Sequence, residues 1–178
     1  MKKIKFILVF VPLLIGALIY LLYRSRNLFY YNLIHFFDMN GHVVLARQTA
    51  KIYRKLFPTW SIYSLPDGLW LFSTGAAFLI CRNYYLLHTV WFTVIYILMI
   101  GIEYLQKFYG GHGTMLGTYD EKDIIAFTTA YILINIIAFI SRKLDSRYKY
   151  KTSLKMEIVE NIFYSFIFFV IGLLPSML

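Results

Sequence analysis

Three pairs of polar residues stand out in an otherwise apolar chain: Glu103 and Gln106, Asp120 and Asp123, and Asp67 and Trp70, each three residues apart. On a helix that spacing puts both members on one face. Carboxylates held there beside apolar walls can bind a cation or an amine, or grip a headgroup phosphate through a bound metal. With their ionisation opposed by burial they can also move protons. Next to hydrocarbon such groups are costly unless solvated, paired or capping a helix. The three aspartates each fall in a candidate first helical turn, where the helix dipole alone favours an acid. Glu103 has no such account. It closes a long apolar run, at the end of a helix where an acid is disfavoured.

The elements that must position these residues are apolar segments of membrane length. Met1 to Tyr23 opens with three lysines and runs apolar from residue 6 to 23. No small-residue cleavage site follows, only Arg24-Ser25-Arg26, so it reads as an uncleaved first span. Further spans are expected at 66–81, 84–105, 124–140 and 158–178. The second is short. It starts at Pro66, a residue suited to a first helical turn, and reaches Cys81 only near the lower limit for crossing. Arg82-Asn83 makes a tight connection to the third span. Residues 107–117 are glycine-rich and expected to form a loop. Thr118 and Glu121 have the T-x-x-E spacing of a capping box, which places Thr118 as the N-cap of the fourth span.

Residues 24–65 are too polar to cross and read as an interfacial segment. Within it, Val43 to Phe57 gathers Arg47, Lys51, Arg54 and Lys55 near one helical face, with Leu45, Ile52 and Leu56 on the other. That is the pattern of a basic amphipathic helix on lipid headgroups. Pro58 ends it. The whole therefore reads as an all-α integral membrane bundle of about five transmembrane helices, a single domain over 1–178.

Composition supports lipid as the solvent. Of 178 residues 60% are hydrophobic and 15% charged, too few polar groups to cover a soluble domain of this size. The net charge of +9 fits anionic headgroups better than nucleic acid, given so apolar a chain. A single cysteine, Cys81, excludes an internal disulfide and a cysteine-based zinc site. His112 lies near the acids, but a histidine among glycines is ordinarily solvated, so no metal site is assigned. His35, His42 and His88 show no ligand spacing. No Ser/His/Asp arrangement, phosphate-binding glycine loop or H-E-x-x-H is present. No cofactor can be named.

With five spans, helix parity puts Asp67, Glu103, Gln106, Asp120 and Asp123 at one membrane surface. The basic connection at 142–155, with six Lys or Arg, marks the opposite surface as cytoplasmic. The N-terminus is then cytoplasmic and the carboxylates extracytoplasmic.

At these motifs the chain resembles the VanZ-like membrane proteins. The resemblance lies in Glu103-x-x-Gln106 closing one span, a glycine-containing link, and Gly117-Thr-Tyr-Asp120-x-x-Asp123 opening the next. Pro66-Asp67-Gly-Leu-Trp70 is similar to a pattern in a related group of small membrane proteins. Together these cover about residues 65–140. Where the family usually has an arginine in the link and an asparagine one turn into the next span, this chain has Thr118-Tyr119 and Phe127. The resemblance implies a small multi-span protein of the bacterial cytoplasmic membrane. Its founding member is associated with lowered susceptibility to the glycopeptide teicoplanin.

Three functions follow as expectations. The first is binding of a lipid-linked envelope precursor or headgroup at the outer face, with Glu103 and Asp120 as central contacts, Gln106 and Asp67 orienting them, and Trp70 packing on the ligand. The second is an enzyme modifying an envelope lipid, with Glu103 as general base or with Asp120 and Asp123 on a divalent metal. The third is a structural subunit of a membrane complex. Oligomeric state is not legible.

Overall fold

The structure is a computed structural model that describes residues 2–24, 36, 40–111, 118–144 and 153–173. These residues form helices and connections, with no strand among them. The main elements are α1 (Lys2–Tyr23), α2 (Asn40–Tyr53), α3 (Thr59–Tyr63), α4 (Leu65–Leu79), α5 (Tyr85–Tyr109), α6 (Glu121–Leu144) and α7 (Leu154–Leu173). A 3-10 turn at Arg54–Leu56 follows α2. Among the described residues, three helices are long and apolar enough to cross a membrane: Lys3–Tyr23, Tyr85–Tyr109 and Glu121–Leu144.

The helices are arranged around α4. It packs most extensively on α1 and α6, and also touches α5, α7 and α3. Leu71, Ala76, Ala77, Phe78 and Leu79 are buried on all its faces. At 15 residues it spans about 22 Å, against about 30 Å of hydrocarbon. The segment expected to cross at 66–81 is thus helical but below membrane length on its own, and neighbouring helices surround it. Close approach depends on small residues. A Cβ on Gly75 would lie 2.6 Å from Phe92 and 2.7 Å from Ile134, and one on Gly68 would lie 3.1 Å from Ala126. Only glycine lets α5 and α6 come this near α4.

Polar pairs tie α5 to its neighbours at mid-bundle. Thr93 and Tyr131 share a hydrogen bond of 2.9 Å, and Tyr96 and Thr128 one of 3.0 Å. Tyr131 also stacks on Tyr96 at 4.4 Å. Trp91 Nε1 donates to Ser165 Oγ of α7 at 3.0 Å. Outward faces stay apolar, as Leu14, Leu98, Phe139 and Phe166 illustrate.

Several local expectations change. The helix of α5 continues to Tyr109, through the start of the supposed loop, and stops at Gly110. His112 and His35 lie outside the described residues. Helix α6 begins at Glu121, so Asp120, not Thr118, is its N-cap. The Lys122 amide donates to Asp120 Oδ1 at 2.9 Å. An aspartate immediately before the first turn reaches those amides directly and leaves Thr118 exposed. In α2, Arg47 is buried and faces inward with Val43 and Ala50. It donates to the Leu21 and Arg24 carbonyls at 2.8 and 2.6 Å, closing the C-terminal end of α1. Leu45, Ile52 and Leu56 are exposed. The connection after α4 turns through Cys81, the one non-glycine residue of positive φ (61°) among those described.

Candidate functional site

Because successive long helices run in opposite directions, the end of α1, the start of α4, the end of α5 and the start of α6 meet at one end of the bundle. Asp67, Glu103, Asp120 and Asp123 feel one another's charge there. Gln106 follows Glu103 one turn later on the same helix. Five of the six residues singled out by spacing are thus placed at this end.

Their partners differ. Asp67 is served: Tyr20 Oη donates to its Oδ1 at 2.8 Å, and Arg24 stands 4.0 Å from its Oδ2. Arg24 in turn donates to Tyr20 Oη and to the Tyr63 carbonyl. Asp120 is spent on its cap. Glu103, only 6% exposed, receives the backbone N–H of Asp120, yet its Oε2 is buried without a partner among the described residues. Among the described residues Gln106 Oε1 and Asp123 Oδ1 also find no partner and are buried. Ser64 lies beside Asp123, but its Oγ completes no hydrogen bond of good geometry. Neither Glu103 nor Asp123 is in an ion pair among the described residues. Buried polar atoms are almost always hydrogen-bonded, so a cluster of orphaned oxygens is the unusual feature of this end. Among the described residues, no group of three His, Cys, Asp or Glu is arranged to hold a metal ion.

Trp70 is elsewhere. Its indole N–H donates to the Phe168 carbonyl of α7 at 2.9 Å, and its ring lies against Gly172. With that donor used and the ring against Gly172, Trp70 fastens α4 to α7.

A second polar cluster at the other end was invisible to motif reading. His88, fully buried in the first turn of α5, is held on both sides: Nδ1 lies 2.9 Å from Asn161 Oδ1 and Nε2 lies 2.7 Å from Glu157 Oε2. Glu157 also accepts the amides of Asn83 and Tyr84, at 3.2 and 3.3 Å. Arg82 pairs with Glu160 and lies over the Tyr164 ring, which Lys5 also approaches. The available signal was Glu157, Glu160 and Asn161, spaced i, i+3, i+4 at the start of an apolar helix.

Comparison with protein-family models, curated proteins and solved structures gave no match.

Proposed function

We propose that this chain is a VanZ-like, multi-pass protein of the bacterial cytoplasmic membrane that binds a lipid-linked or headgroup ligand at its acidic end. The observation that carries the reading is the set of buried, unpartnered oxygens on Glu103, Gln106 and Asp123. Such a set is costly in an empty protein and is offset when a ligand supplies donors. In this reading α1, α4, α5, α6 and α7 are five antiparallel passes, and α4 crosses within the cover of its neighbours. The N-terminus is cytoplasmic and the acidic end extracytoplasmic, because the basic ends of α6 and α7 favour the inner leaflet. Exposed Leu45, Ile52 and Leu56 of the α2 segment then rest in the outer interface.

Ligand capture at this face would contribute to glycopeptide tolerance, as the resemblance implies. An enzymatic reading with a metal on Asp120 and Asp123 has less support. Asp120 Oδ1 already serves the helix, and no metal-holding group occurs among the described residues.

The test is complementation of a deletion strain, scored against glycopeptides, lipoglycopeptides and unrelated envelope stresses. Wild type should restore tolerance; Glu103→Gln and Asp123→Asn, at matched membrane abundance, should not. If the amide variants protect as well as wild type, the acidic end is structural and a scaffold role replaces this reading.

A further inference from the structure

We infer that the group received at the acidic end is a primary ammonium, carried by an ethanolamine-type headgroup or by the amino sugar of a lipid-linked ligand. The inference rests on the binding reading above and narrows it to one chemistry. The orphaned carboxylate and amide atoms are acceptors, Glu103 Oε2, Gln106 Oε1 and Asp123 Oδ1, and the Ser64 hydroxyl beside Asp123 can give or accept a hydrogen bond. Glu103 and Gln106 lie one turn apart at the end of α5, and Asp123 lies in the first turn of α6, near enough for its charge to act on Glu103. A primary ammonium presents three N–H donors, one for each acceptor. Its single positive charge meets two carboxylates that form no ion pair among the described residues.

Nearby cations do not fill this role. Arg24 donates to Tyr20 and Tyr63 and stands 4.0 Å from Asp67; its charge also reaches Asp123, but it forms no ion pair with that carboxylate. Lys107 lies 5.2 Å from the Tyr119 ring centre.

Other ligand classes fit less well. A quaternary ammonium has no N–H to give, so it would leave all three oxygens orphaned. Its usual receptor is a cage of aromatic faces, whereas these acceptors are carboxylate and amide oxygens. A divalent metal needs a gathered shell of ligands, which the described residues do not provide. An anion would be repelled by Glu103 and Asp123. Glu103 is more than nine-tenths buried, so binding there excludes water and rewards each N–H that finds its oxygen.

The experiment uses the full chain in nanodiscs of phosphatidylglycerol. Phosphatidylethanolamine, its N-methyl and N,N-dimethyl derivatives and phosphatidylcholine are added in turn, and bound lipid is counted by native mass spectrometry. Each N–H removed should weaken binding about tenfold. Glu103→Gln and Gln106→Leu should flatten the series. Gln106→Leu removes an acceptor without removing charge, and both variants are checked for wild-type thermal unfolding. Competition by glucosamine but not N-acetylglucosamine would identify the amino sugar as an accepted source. Failure of glucosamine to compete, with the lipid series intact, would assign the headgroup. Equal binding across the series, still weakened by Glu103→Gln, overturns the ammonium and leaves the acidic end as a binding site. Equal binding that Glu103→Gln leaves untouched overturns both.

Discussion

The two ends of the bundle solve the same problem in opposite ways. Each gathers charged side chains beside apolar helices. At the basic end both carboxylates found partners: Glu157 has His88 and two backbone amides, and Glu160 has Arg82. The polar atoms left over there are nitrogens, on Arg82 and Asn161. At the acidic end the leftover atoms are mostly oxygens, on Ser64, Glu103, Gln106 and Asp123. The difference teaches that a buried charge is not by itself a sign of function. Carboxylates whose pairs are completed fix helices in place; carboxylates left buried without a donor ask for something from outside.

Stability measurements can break this comparison. The largest effect should come from Glu157→Ala, which strands His88 and the Asn83 and Tyr84 amides together. We expect a loss of about 3–5 kcal/mol in unfolding of the reconstituted protein. A loss below about 1 kcal/mol would mean that the His88 cluster clamps nothing. A smaller loss, about 1 kcal/mol, should follow Asp120→Ala, with Asp120→Asn keeping the cap. If the asparagine variant is as weak as the alanine one, the Asp120 charge matters beyond capping, and the acidic end is larger than described. The smallest change, with the opposite sign, belongs to Glu103→Gln. Here the folded protein should hold its stability or gain up to about 1 kcal/mol, since an unpaired buried charge becomes a neutral amide. Marked destabilisation would place Glu103 among the structural residues, alongside Glu157.

The acidic end was legible because its cause is local. Residues three apart share a helix face, and alternating helix direction then brings Asp67, Glu103, Asp120 and Asp123 to one end without any knowledge of packing. What the spacing could not tell was which acid is already employed. Asp120 caps and Asp67 is held by Tyr20 and Arg24, partners that depend on where helices begin and how α1 lies on α4. The His88 cluster was illegible for the same reason. It joins residues about seventy positions apart, and the expected fifth span began at residue 158, one past the glutamate that matters. The role of α4 was half legible. Its short apolar run signalled a marginal span, but a central position shows only in the glycine contacts with Phe92 and Ala126.

The turn after α4 offers a practical consequence. Cys81 carries the only thiol in the chain, and its backbone adopts the left-handed conformation that suits glycine. Replacing it with glycine removes sulfur at the position most ready to do without a side chain. The result is a thiol-free background into which single cysteines can be introduced, one helix end at a time. Impermeant maleimides applied to intact cells would then read the sidedness of each end directly, with no residual label from the native protein.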